Sequence, residues 1–213
     1  DDEFKFSSAI TEDLDFTKIA NLEKLSFSES DDTVTFGADE FNAGIKTLDL
    51  GNGQNKAYLN ADTTSSVQVN GGTGTDTFNL DFSRLSEGDY SINGGTGTDT
   101  VKFTGTTSSI SADTAFAPSS TFTNIERLDI SGLNLNTSDN NTEFNFTDTM
   151  IKQWSGSATG TVALSLTSAQ TEKIMFTDST SAVHDTQLSA GTYNYTLKDD
   201  GLDGSTHLQL IVS

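Results

Sequence analysis

The sequence contains no cysteine. Disulfides, zinc–thiolate sites and a thiol nucleophile are therefore excluded. Proline occurs once, at Pro118, and histidine twice, at His184 and His207. No apolar run approaches the 18 or so residues of a membrane-spanning helix, so membrane insertion by a helix is not expected. Basic residues are scarce as well: 11 Lys and Arg stand against 31 Asp and Glu, a formal charge of −20. Such a surface repels phosphate backbones, and its few cations form no patch, so nucleic acid is not an expected partner. An excess of carboxylates also repels itself in a compact state unless cations sit among them. Solubility in a salty habitat and structural divalent metal both fit that balance.

What the chain has instead is repetition. The stretch VNGGTGTDTFNLDF begins at Val69 and INGGTGTDTVKF at Ile92, with Gly71 and Gly94 one 23-residue step apart. An earlier, degraded copy, TLDLGNGQNKAYL from Thr47 to Leu59, aligns at a shift of 21, so that Gly53 falls on Gly74 and Asn55 on Asp76. Apolar pairs keep the same step: Leu48 and Leu50, Val67 and Val69, Tyr90 and Ile92 on one flank, then Leu59, Phe78 with Leu80, and Val101 with Phe103 on the other. Members of a pair are two residues apart and so face one side of a strand. Strand–turn–strand units at this spacing predict an all-β parallel solenoid, in which each coil buries the apolar pairs of the next.

A coarser duplication overlies the coils. DDEFKF (Asp1–Phe6) is similar to TDTVKF (Thr98–Phe103), and IANLEKLSFS (Ile19–Ser28) to FTNIERLDIS (Phe122–Ser131). Residues 1–45 and 98–151 thus read as two copies of one unit, with the glycine-rich coils at 46–103 leading into the second. Asp2 takes the place of Asp99, which suggests a glycine-rich turn ahead of it, and the chain reads as a segment of a longer multidomain protein. The remainder, 152–213, is a C-terminal subregion of the same single domain. Short helices are expected in FTDTMIKQWSG (Phe146–Gly156) and TSAQTEK (Thr167–Lys173). TYNYTL and THLQLIV alternate at period two around KDDGLDGS, the pattern of an antiparallel hairpin.

Glycines admit positive φ and close approach of neighbouring turns. Their carbonyls, with one carboxylate per turn, offer hard oxygens of the type calcium prefers, whereas zinc would call for His or Cys. A purely structural tight turn is the alternative reading. GGTGTDTFN (Gly71–Asn79) and GGTGTDTVK (Gly94–Lys102) resemble the RTX nonapeptide G-G-x-G-x-D-x-U-x, the calcium-binding unit of parallel β-rolls. The resemblance implies Ca2+ ligands at Asp76 and Asp99 and at the carbonyls of Gly72, Gly74, Gly95 and Gly97, with Asn55 a weakened counterpart. The opposite turns, DTTSS and SRLSEGDY, lack the nonapeptide, so calcium is expected along one edge.

Elsewhere, KDDGLDG (Lys198–Gly204) has the carboxylate density of a calcium loop through Asp200 and Asp203. It lacks the distal Glu of an EF-hand, and an Asp/Gly hairpin turn explains it equally simply. SESDD (Ser28–Asp32) and NTSDNN (Asn136–Asn141) occupy equivalent places in the two copies; either could bind calcium, and a solvated loop is the simpler reading. His184 and His207 are isolated and no nucleophile-elbow pattern accompanies them, so no enzyme is expected. Trp154 and the pair Tyr193 and Tyr195 could contact a ligand, but core and cross-strand packing is the commoner use of such aromatics.

By resemblance, the chain is a module of a large RTX adhesin or S-layer-like protein, exported by a bacterial type I system and folding in extracellular calcium at the cell surface. Two roles follow. One is adhesion, including biofilm formation, through a peptide, protein or glycan on a target cell; no residue can be assigned to that ligand. The other is a structural S-layer or stalk module that calcium stiffens.

Overall fold

Period-two alternation and glycine turns translate into short strands joined at tight corners, and the chain winds as a parallel β-solenoid of about four turns, with almost no helix among the described residues. The computed structural model describes residues 2–11, 14–60, 66–81, 90–107, 121–135, 144–147, 159–164, 174–177, 183–184, 191–199 and 206–212. Coil by coil, the strands are β1 (Glu3–Lys5); β2 (Lys24–Ser26) and β3 (Thr33–Phe36); β4 (Thr47–Asp49) and β5 (Lys56–Leu59). Then come β6 (Val67–Asn70), β7 (Thr73–Gly74) and β8 (Thr77–Asp81); β9 (Tyr90–Asn93), β10 (Thr96–Gly97) and β11 (Thr100–Thr107); β12 (Thr121–Thr123) and β13 (Arg127–Leu135).

One sheet has the order β1-β2-β4-β6-β9-β12 and is parallel throughout. The facing sheet starts at β3-β5-β8-β11-β13 and continues into β15 (Thr159–Leu164), still parallel. It ends on β18 (Gly191–Asp199) and β19 (Thr206–Val212), which are antiparallel. A separate sheet holds β14 (Phe144–Thr147), β16 (Ile174–Thr177) and β17 (Val183–His184).

Register converts the repeated apolar pairs into continuous columns. Leu25, Leu48, Val69, Ile92 and Phe122 align across one sheet, and Val34, Ala57, Phe78, Val101 and Leu128 across the other. All ten are buried. Each large side chain taken from water contributes about 1.5–3 kcal/mol, and it does so against the coils above and below. Stacked burial therefore couples the coils, and no coil could retain its core alone.

The six-residue helix α1 (Ala38–Ala43) fills a corner opposite the glycine turns. Glycines bracket it: the Gly37 N–H donates to the Glu40 carboxylate at 2.8 Å, and Gly44 closes the helix at φ 102°. Six residues give no readable helical period, so the alternating pattern on either side hid this element. The helices expected at 146–156 and 167–173 fall largely or wholly outside the described residues.

The look-alike stretches at 1–6 and 98–103 lie in opposite sheets, β1 in one and β11 in the other. A sequence alternating at period two cannot say which of two equivalent sheets a strand joins.

Candidate metal centre

Each glycine turn links a strand of one sheet to a strand of the other, so successive turns stack along one edge. The N–H of the acidic residue in one coil points at the side chain of its counterpart in the next. Asp32 N–H donates to Asn55 Oδ1 at 3.0 Å, Asn55 N–H to Asp76 Oδ1 at 2.9 Å, and Asp76 N–H to Asp99 Oδ1 at 2.8 Å. Asp99 N–H then donates to Glu126 Oε2 at 2.8 Å. At the other end, Ile10 N–H donates to Asp32 Oδ1, while Ser28 satisfies Asp32 Oδ2 through its N–H and hydroxyl. Sequence reasoning brought together Asn55, Asp76 and Asp99. It missed Asp32 and Glu126, which join the ladder by position without a G-G-x-G turn; the spacing of 23 from Asp32 to Asn55 was the available signal.

Three atoms of this ladder are buried without a hydrogen-bond partner: Asn55 Nδ2, Asp76 Oδ2 and Asp99 Oδ2. Asp76 and Asp99 have no solvent exposure at all. An ionised oxygen in that position costs several kcal/mol unless something positive meets it. Accordingly, the Asp76 carboxyl is pushed up to about 6, chiefly by burial, against the pull of the Asn55 N–H and with a further push from the Asp99 charge. Asp99 is raised too, by burial first, opposed by the Asp76 N–H and supported by Glu126.

Each orphan oxygen shares a glycine's empty Cβ position with a main-chain carbonyl oxygen, and at Gly71 with the edge of the Phe78 ring, 3.1 Å from that position. A Cβ placed on Gly71 would lie 2.3 Å from the Gly94 carbonyl oxygen and 2.6 Å from Asp76 Oδ2. One placed on Gly94 would lie 2.2 Å from the Asn124 carbonyl oxygen and 2.7 Å from Asp99 Oδ2. Only a residue lacking Cβ leaves these carboxylates room beside main-chain carbonyls. The donor set, anionic and carbonyl oxygens without nitrogen or sulfur, suits a hard cation. Asn55 differs in chemistry: its orphan atom is an NH2 group, which turns hydrogens toward the place where its counterparts present oxygen. Among the described residues no three His, Cys, Asp or Glu side chains gather into one cluster. The acidic groups are arranged one per coil, as a row.

The remaining glycines set the coil spacing. Gly72, Gly74, Gly95 and Gly97 all have positive φ. The Gly72 carbonyl accepts the Thr96 N–H at 3.0 Å, so part of its acceptor capacity already serves the β7–β10 ladder. On the outer surface of the turns, Thr73, Thr75, Thr96 and Thr98 are exposed. Asp200 and Asp203 lie outside the described residues, as do Trp154 and the loop at 136–141. His184 and His207 fall in β17 and β19, and Tyr193 and Tyr195 in β18.

No helix among the described residues is long and apolar enough to cross a membrane. Neither a protein-family model, nor a curated protein, nor a solved structure matches the chain.

Proposed function

We propose that this chain is an extracellular β-solenoid module stiffened by calcium, part of a larger bacterial surface protein of the RTX type. The observation that carries the reading is the pair of buried, unpartnered carboxylate oxygens on consecutive coils, Asp76 Oδ2 and Asp99 Oδ2. Asp76 and Asp99 would hold the ion. Carbonyls of the turn glycines, Gly72, Gly74, Gly95 and Gly97 among them, would complete the oxygen shell; Asn55, whose Oδ1 already accepts the Asp32 N–H, would stand at the end of the row without a ligand oxygen to give. The ion supplies positive charge that cancels the repulsion between the coils. Calcium accepts about six to eight oxygens at flexible angles, which an irregular set of carboxylate and carbonyl oxygens would satisfy. Magnesium demands near-ideal octahedral geometry and usually keeps several waters, so a buried site of this kind would favour calcium.

A structural role suits this ion better than a grip on an external ligand. An ion that recognises a peptide or glycan needs a coordination position open to solvent, and Asp76 and Asp99 are fully buried. Adhesion to a peptide, protein or glycan, the other role the RTX resemblance implies, would use a different surface. Catalysis has no support in the residue pattern.

Isothermal titration tests the metal reading. The wild-type chain is expected to take up calcium and to show a far weaker response to magnesium. The double variant Asp76→Asn, Asp99→Asn is expected to lose at least one calcium equivalent. Equal calcium uptake by both proteins would remove these residues from the site.

A further inference from the structure

Among the described residues two large hydrophobic side chains are exposed, Phe4 at 47 % and Ile19 at 39 %. In the internal alignment of 1–28 with 98–131, Phe4 corresponds to Val101 and Ile19 to Phe122. Both counterparts are 1 % exposed. Each lies beside a strand one step earlier in its own sheet: Val101 pairs with Phe78 of β8, and Phe122 with Ile92 of β9. β1 has a neighbour on one side only among the described residues, and that neighbour is β2.

Local geometry matches residue by residue. Asp2 N–H donates to Glu23 Oε2 at 2.6 Å, and the Asp2 carbonyl accepts the N–H groups of Glu23 and Lys24 at 3.2 and 3.1 Å. Asp99 N–H donates to Glu126 Oε2 at 2.8 Å, and the Asp99 carbonyl accepts from Glu126 and Arg127 at 3.2 and 2.9 Å. Asn21 and Asn124 share a left-handed conformation, at φ 60° and 52°, the two non-glycine residues with positive φ among those described. Phe4 faces Leu25 as Val101 faces Leu128. The two units differ in what stands before them. Asp99 accepts the Asp76 N–H of the coil before it. The Asp2 carboxylate has no such partner among the described residues.

We propose that the face made by β1, Asp2 and Ile19 is the docking surface for a glycine-turn coil of the same chain, joined directly ahead of Asp1. That coil would resemble residues 75–97, which stand in this relation to Thr98. Its first strand would pair in parallel with β1 and cover Phe4, its second would cover Ile19, and the N–H of its acidic turn residue would donate to Asp2. Because β1 and β11 lie in opposite sheets, the glycine turn of this coil would sit on the edge opposite the Asp76–Asp99 row. The inference rests on the internal duplication and holds whether or not calcium binds.

The test extends the chain at its N-terminus with a second copy of residues 75–97, against a control carrying the same 23 residues scrambled. Hydrogen exchange at residues 3–6 and 19–20 is expected to slow at least about tenfold in the extended chain and not in the control. The melting temperature is expected to rise by roughly 3 °C or more, the shift of about 1 kcal/mol in a domain of this size. Equal exchange and equal melting in the two chains would overturn the proposal. It would also fall if the unextended chain sediments as a dimer that Phe4→Ser or Ile19→Ser dissociates, because the occupant is then a second copy.

Discussion

Replacing Gly74 with alanine is expected to abolish the stacked turns, at a cost of at least about 3 kcal/mol. Gly74 has φ +133°, a conformation that costs an L side chain about 1–3 kcal/mol. The larger effect is steric. The new Cβ would lie 1.8 Å from the Gly53 carbonyl oxygen of the preceding coil. That neighbour is backbone, fixed by the Gly53 N–H bond to the Thr73 carbonyl at 2.9 Å, and cannot swing aside like a flexible side chain. The coils would have to separate, and the Asn55–Asp76 ladder bond with the Ala57–Phe78 contact would open together. Gly97→Ala meets the same obstacle at 1.5 Å from the Gly74 carbonyl and is expected to behave alike. Gly37→Ala is the control, since the nearest atom to its new Cβ is the flexible end of Glu40 at 3.6 Å. Urea unfolding of the three variants decides the matter; a Gly74→Ala chain as stable as Gly37→Ala would refute close stacking of the turns.

Asp99→Asn is expected to change sign with calcium. The amide keeps an oxygen to accept the Asp76 N–H, and it removes a buried charge beside Asp76. In chelator the variant should be more stable than wild type, because the buried charge is gone, although its NH2 group takes the unpartnered place of Oδ2 as in Asn55. In saturating calcium it should be less stable, because an ion at a hundred times its dissociation constant contributes about 2.7 kcal/mol that the variant forgoes.

The same charges set a pH dependence. The folded-state pKa of Asp76, about 6, lies above its ordinary value of 3.8, so between those limits the folded chain binds more protons than the unfolded one. Stability is then highest at the acidic end and falls as pH rises. From pH 5 to 6.5 the chelated wild type should lose stability, and Asp76→Asn should flatten that slope. Glu3 and Asp15, both lowered by hydrogen bonds from Ser26 and Thr17 respectively, titrate below this window. Chemical denaturation at several pH values, with and without calcium, reads all of these effects. Identical rankings of wild type and Asp99→Asn in both media would sink the account of buried charge relieved by an ion.

The parts legible in the sequence are those that one coil dictates to the next. Val69 and Ile92, or Phe78 and Val101, could be paired by a fixed step because stacked strands must present apolar groups at the same height. Asp76 and Asp99 stood out because a glycine-rich turn surrounds each. Glu126 did not, since it enters the ladder with one more methylene and an Asn124 turn in place of glycines. Asp32 was read as a solvated loop residue, although Ser28, Ile10 and Asn55 bury it. In both cases the signal is a backbone N–H one coil away, and composition does not carry it. The half-turn between the duplicated units was equally hidden, because either sheet accepts an alternating strand. Phe4 and Ile19 were visible as members of a repeat, but only the burial of Val101 and Phe122 shows what they lack.

The most direct test of the central claim is the thermal melt of the wild-type chain in millimolar calcium and again after chelation, followed by circular dichroism. If Asp76 Oδ2 and Asp99 Oδ2 share an ion, chelation should lower the melting temperature by roughly 5–10 °C, the shift of about 2.7 kcal/mol in a domain of this size. Readdition of calcium should restore it. A melt unchanged between the two media would mean that the glycine turns hold the coils together unaided.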